Sequence, residues 1–234
     1  MIGRNWPGIE DVDVLGIEEL AVLEFVQRIE RFSATRFNAM VSMLKGVLPA
    51  AARLKFRPVR VKDRPLLSQL EFSRLLQELD GRPQSHAGLV IRFLAHTGLR
   101  INEARQLKWQ DVHEDFILVP GAITKTGRPR AIPFVNGIRE ILDELQGVAG
   151  VEELVLPQAE CKRSLNTSCA RAGVPHLSHH DFRHLFATRC IQSAVDLPTA
   201  ALWLGHRDGG ALLAKIYFHL VDEHSRRMAA KVRI

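Results

Sequence analysis

Apolar residues recur at helical spacing through most of the chain and alternate at strand spacing over one short stretch. Residues 17–30 read as an amphipathic helix with Leu20, Val22, Leu23 and Val26 as its apolar stripe, and 33–48 as a second with Phe37, Val41, Leu44 and Leu48. The prolines after Arg57 and Arg64 resist helix, so 49–65 reads as a linker. Ser68-Gln69-Leu70-Glu71 is a capping box, predicting a helix that buries Phe72, Leu75, Leu76 and Leu79 and stops at Gly81-Arg82-Pro83. Leu89, Val90, Ile91, Phe93 and Leu94 are apolar on most sides of the next helix, which places it at the centre of the core with Gly98 past its end. A short helix over 101–107 leads to two strand-like runs, 116–119 and 130–134. Gly127 and Pro129 give the turn between them a hairpin chemistry with a basic, exposed tip. The rest is helical in pattern: 136–146, 160–172, 180–194, 198–204, 209–219 and 222–231. The expected class is mainly α with a small antiparallel β-sheet (α+β).

Composition narrows the setting. With 234 residues, 46% of them hydrophobic and 25% charged, the chain can bury a real core. That length predicts one large domain, or one domain plus a small appendage, and the pattern favours the second: 1–62 as a partial helical region with its basic linker, and 63–234 as the main domain. No apolar run approaches the roughly 18 residues of a membrane span, and the first residues lack the apolar core of a signal peptide. Cys161, Cys169 and Cys190 show no CxxC spacing, which argues against a disulfide framework or a cysteine-rich zinc site and for a reducing cytoplasm.

Charge is unevenly distributed, and this tells more than the net +6. The first thirty residues are acidic. The next block holds Arg31, Arg36, Lys45, Arg53, Lys55, Arg57, Arg60 and Lys62 with no acid. A basic block beside a nearly balanced globular region points to a polyanion, with nucleic acid first. Arg53, Lys55, Arg57, Arg60 and Lys62, together with Arg128 and Arg130 of the hairpin, are the expected DNA contacts.

Gly-rich phosphate loops and GxSxG are absent, and the acids do not cluster as a magnesium site would need. The candidates for chemistry are therefore histidines, basic residues and Tyr217, the only tyrosine. His180 and His184 stand four apart, the spacing of zinc-binding helices. With no third ligand in view and Arg183 between them, no metal is expected there.

Order along the chain decides among these residues. Thr97-Gly98-Leu99-Arg100-Ile101-Asn102-Glu103 is followed by Thr124-Lys125-Thr126-Gly127-Arg128-Pro129-Arg130, then His180-Asp181-Phe182-Arg183-His184, Leu204-Gly205-His206 and Ile216-Tyr217. This series resembles the catalytic domain of the tyrosine recombinases, the phage-integrase family, over about residues 64–220. The resemblance implies that Arg100 and Arg183 clamp a scissile phosphate and that Glu103 holds Arg100. It implies that Lys125 protonates the leaving 5′-hydroxyl, that His180 and His206 assist, and that Tyr217 is the nucleophile, with His184 as support. It also implies double-stranded DNA as partner, a homo-oligomer (dimer or tetramer) on that DNA, no cofactor, and a cytoplasmic, nucleoid-associated protein. Members of the family usually carry a larger N-terminal helical bundle, so residues 1–62 would be a shortened version of it.

The chemistry agrees with these roles. Charge builds on the non-bridging oxygens of a phosphodiester under attack, and guanidinium forks fit those oxygens bidentately. A phenol of pKa near 10 needs such cations and a neighbouring imidazole before it attacks. Two rival readings are a DNA-binding protein of this fold that no longer recombines and a topoisomerase-like nicking enzyme.

Overall fold

The structure is a computed structural model and describes residues 6, 17, 19–59, 67–81, 86–149, 153–156, 161–206 and 214. The chain forms two compact units, Met1–Asp63 and Arg64–Ile234.

In the first unit, α1 (Glu19–Ile29) packs with α2 (Ala34–Val47), whose start is capped by Ser33. The buried face of α1 is Val22, Phe25 and Ile29, a clean i, i+3, i+7 stripe. This corrects the expected stripe: Leu20 and Leu23 are 67% and 46% exposed, because Phe25 and Ile29 turn the helix onto the aromatic and aliphatic face of α2. The segment read as a linker is docked over its described part. A 3₁₀ turn (Pro49–Ala51) follows α2, and Asn38 then holds the extended chain by accepting from Arg57 N (2.7 Å) and donating to Arg57 O (2.8 Å).

The second unit is built on α4 (Ala87–Thr97), buried on nearly every side as its sequence predicts. Around it lie α3 (Gln69–Asp80), α5 (Ile101–Ala104), α6 (Ile138–Ala149), α7 (Lys162–Ala172), α8 (His179–Gln192) and α9 (Leu197–Leu204). The capping box of α3 is present in both directions, Ser68 with Glu71. Helix α5 is shorter than the 101–107 expected, and Leu107 beyond it is fully buried. The sheet is two antiparallel strands, β1 (Phe116–Val119) and β2 (Arg130–Pro133), in the register Phe116↔Pro133 through Val119↔Arg130. The helices expected over 209–219 and 222–231 lie outside the described residues. Among the described residues, no helix is long and apolar enough to cross a membrane.

Gly98 ends α4 with φ +61°, the left-handed conformation that glycine adopts without strain. A Cβ there would come within 2.5 Å of Phe186 and 2.9 Å of Leu204. Glycine thus allows α8 and α9 to close on the turn that delivers Arg100. This is what positions the site.

Candidate active site

Three elements bring three of the expected catalytic residues, Arg100, Lys125 and His180, to one cavity. Arg100 precedes α5 in an extended conformation, so its side chain leaves the core while its backbone opens the helix. Glu103, one turn on, is 1% exposed. Its Oε2 accepts from the Arg100 backbone N–H (3.0 Å) and its Oε1 from Arg100 Nη1 (2.8 Å), fixing the arginine at both ends. The hairpin supplies Lys125, exposed at its tip. Thr124 Oγ1 braces the base of that tip, 3.0 Å from Gly121 O and 3.1 Å from Arg128 O. Helix α8 supplies His180 in its first turn. Asp181 stabilises that turn by accepting from Ser178 N (2.8 Å) and Ser178 Oγ (2.7 Å). Arg100, Asn102, Glu103, Thr124, Lys125 and His180 line one cavity of about 400 Å³.

The arrangement suits a phosphate. Cationic donors arrive from α5's start and the hairpin tip, an imidazole arrives from α8, and Glu103, the carboxylate among the described lining residues, is engaged by Arg100 and Arg130. Asp181, which as neighbour of His180 invites a metal reading, is committed to the helix cap. The His180 and His184 rings meet edge-to-face with centroids 4.6 Å apart.

Arg183 is placed differently from a surface clamp. It is 3% exposed, and its Nη1 donates to Gly98 O (2.7 Å) while its Nη2 donates to Leu204 O. It ties the Arg100 turn to the end of α9, immediately before His206. His206 N in turn donates to Ala201 O (2.9 Å), continuing the helix end past Gly205. Tyr217, Arg60 and Lys62 lie outside the described residues.

One expected DNA contact is corrected. Arg130 is 7% exposed: its Nη2 and Nη1 donate to Glu103 Oε2 (2.7 Å) and Oε1 (3.3 Å), and its Nε donates to Trp203 O (2.7 Å). A guanidinium engaged on a buried carboxylate and a carbonyl does not reach a backbone outside. The signal was available in the sequence, since strand alternation puts Arg130 on the face of Ile132, which is buried. Arg57 stacks over the Phe37 ring at 3.9 Å and donates from Nη1 to Glu30 O (2.8 Å), which fixes it on its own unit with a third of its side chain still exposed. Arg53, Lys55 and Arg128 are not buried.

Burial raises the pKa of Glu103, but the hydrogen bonds and charge of Arg130, with the bonds from Arg100, outweigh it and hold this carboxyl below the usual range. It stays ionised. Burial pushes the Cys190 thiol up to about 11 and raises that of Cys169.

Comparison with known proteins accords with this geometry. The chain is 27% identical over 170 residues to tyrosine recombinase XerA of Saccharolobus solfataricus, covering 72% of this chain and 56% of that protein. It is 25% identical over 234 residues to tyrosine recombinase XerA of Thermococcus kodakarensis, covering 92% and 82%. The chain thus spans just over half the length of the first of these relatives. Its fold matches the Tn1549 transposon integrase in complex with transposon right end DNA (TM-score 0.75, 16% identity, 93% of this chain and 86% of that one). It also matches a lambda integrase dimer bound to a COC′ core site (TM-score 0.69, 20% identity, 89% and 84%). The sequence profile of the Phage integrase family fits residues 66–224, and on that match the chain belongs to the phage integrase family.

Proposed function

We propose that this protein is a site-specific DNA recombinase that cuts and rejoins strands through a covalent 3′-phosphotyrosine. The observation that carries the reading is the cavity on which Arg100, Lys125 and His180 meet, beside a carboxylate held inward. In this reading Tyr217 Oη attacks the scissile phosphorus and the bond to the 5′-oxygen breaks. Lys125 gives that oxygen a proton, and an imidazole, His180 or His206, takes the proton of the phenol. Arg100 neutralises the charge gathering on the non-bridging oxygens, a preorganised stabilisation worth about 10²–10³ in rate per donor. Arg183, buried on the carbonyls of Gly98 and Leu204, ties the Gly98 turn to α9 and adds its positive charge to the clamp from within the core. The phosphotyrosine conserves the energy of the broken bond, so rejoining needs no nucleotide.

The partner is double-stranded DNA, gripped by Arg128 at the hairpin and by Arg53 and Lys55 of the basic block, with Arg60 and Lys62 beyond them. The protein works as a dimer or tetramer on that DNA, in the cytoplasm on the nucleoid. Relatives of the same fold support this assembly: one was solved as a lambda integrase dimer on a core site and another as a lambda integrase tetramer on a Holliday junction.

The test is a nicked suicide duplex, from which the short fragment 3′ to the break, bearing the freed 5′-hydroxyl, diffuses away and leaves the protein trapped on DNA. Wild-type protein should form a covalent adduct, and Arg100→Ala should form it about 10²–10³ more slowly. EDTA should leave the rate unchanged, since arginines and a lysine fill the charge-stabilising role. Tight duplex binding without any adduct would instead identify a DNA-binding protein that no longer recombines.

A further inference from the structure

Arg130 carries more than its place in β2 requires. Three side chains form a chain of charge running from core to cavity. Arg130 is innermost with its side chain 4% exposed, Glu103 is in the middle at 2%, and Arg100 is outermost at 30%. Taken without Arg130, the pair Arg100–Glu103 is neutral, and an incoming phosphate would meet a guanidinium already compensated by its own carboxylate. With Arg130 the group carries one net positive charge, and the exposed end is where that charge can act. Coulomb energy between close charges grows severalfold away from bulk water, so the compensation matters most where Glu103 sits.

The third Arg130 contact reaches the other side of the site. Its Nε donates to Trp203 O (2.7 Å) near the end of α9, and its side chain runs against Gly205. Gly205 has φ +65°, and a Cβ on it would stand 3.1 Å from Arg130 Cδ and 3.2 Å from Nη1. Only glycine leaves the guanidinium its route and adopts that backbone easily. His206 is the next residue. One planar fork thus sets the Arg100 carboxylate partner and the turn that presents His206, a geometry a lysine ammonium cannot reproduce.

We propose that Arg130 is a positioning residue of the phosphate site: it cancels the charge of Glu103, leaving the charge of Arg100 available to the scissile phosphate, and it anchors the α9 turn before His206. The proposal rests on reading Arg100 as the phosphate ligand.

The experiment compares wild type, Arg130→Gln, Arg130→Lys, the pair Glu103→Gln/Arg130→Gln, Arg100→Ala and the pair Arg100→Ala/Arg130→Gln. Each is checked for folding by circular dichroism at the assay temperature. Adduct formation on the nicked duplex and affinity for the same duplex are then measured. Arg130→Gln should slow adduct formation about 10- to 100-fold, the scale for losing a partner that orients a functional ligand. Removing the Glu103 charge as well should restore about 10-fold, because the group regains its net positive charge. In the Arg100→Ala background the same Arg130→Gln change should cost less than about 2-fold, since the residue it acts through is gone. Arg130→Lys, which keeps the charge and loses the fork, should fall between wild type and Arg130→Gln. It stands in should Arg130→Gln not fold: a folded Arg130→Lys as fast as wild type overturns the anchoring role. A folded Arg130→Gln cleaving at the wild-type rate, or a Glu103→Gln/Arg130→Gln pair no faster than Arg130→Gln alone, overturns the proposal. If wild type forms no adduct, the recombinase reading fails and duplex affinity alone judges Arg130. A severalfold loss in Arg130→Gln, regained in the double variant, supports the proposal, and unchanged affinity overturns it.

Discussion

Arginines do opposite work in the two units. In the first they lie on the surface against aromatic rings: Arg36 sits 4.0 Å over Phe32 with Arg31 5.3 Å from the same ring, and Arg57 covers Phe37. In the second, Arg130 and Arg183 are buried on a carboxylate and three backbone carbonyls. A ring-stacked surface arginine keeps its charge facing water, where a polyanion can collect it and release counterions. A buried arginine is fixed in advance, and its value lies in the geometry it imposes on its neighbours. On the proposed reading, the first unit offers surface charge to a DNA backbone, and the second holds one phosphate in one place.

The largest expected effect comes from breaking the buried set. Glu103→Ala strands Arg130 in the core without its counter-charge and should destabilise the second unit by about 3–5 kcal/mol, read from the urea midpoint. Arg183→Ala leaves the Gly98 and Leu204 carbonyls without their donor, at about 1–3 kcal/mol each, and should also slow cleavage. A stability loss well below 1 kcal/mol would mean that Arg183 is not the tie described.

Acid should act through the same carboxylate. The folded pKa of Glu103 lies below its ordinary value, so its contribution is complete above that ordinary value and is lost as pH falls through the folded one. Arg130→Gln removes the main lowering influence, so the acid unfolding limb of the second unit should move to higher pH. Denaturant titrations between about pH 5 and pH 2 would show it.

In the first unit Arg36→Ala should change stability by no more than about 1 kcal/mol, the scale of an exposed cation–π contact. Where Arg36 meets a phosphate, the slope of log affinity against log salt should fall by about 1. A large stability loss there would erase the contrast between the units. The smallest effect concerns thiols. Cys190, held near 11 by burial, should react with iodoacetamide at pH 8 only as fast as the protein opens.

Much of this architecture could be read along the chain because local signals and tertiary packing agree. Ser68 and Glu71 cap α3, the run from Leu89 to Leu94 marks a helix buried all round, and Gly98 ends it in the left-handed region. The ordered blocks around Arg100, Lys125 and His180 gave candidates that the fold brings to one cavity, although helix α5 and the whole hairpin separate them in sequence. Side-chain direction was harder to read. A basic residue in a basic segment suggests solvent, yet Arg130 points inward because β2 alternates and Glu103 waits beneath it. Arg57 likewise finds Phe37 and Glu30 across a loop. In α1, apolar residues stand on two faces, and packing of Phe25 and Ile29 against α2 selects theirs over the expected face of Leu20 and Leu23. These outcomes depend on partners distant in sequence, which no local period encodes.

The central claim is that Tyr217 joins the protein to DNA, and with no other tyrosine in the chain it can be tested by one substitution. Wild type and Tyr217→Phe are incubated with the nicked suicide duplex, and the adduct is resolved on a denaturing gel and mapped by peptide mass spectrometry. The account predicts an adduct on the peptide containing Tyr217, its complete loss in Tyr217→Phe, and duplex affinity within about 2-fold of wild type, because the substitution removes a single hydroxyl and no charge. An adduct that persists in Tyr217→Phe, or that maps to another residue, would contradict the mechanism.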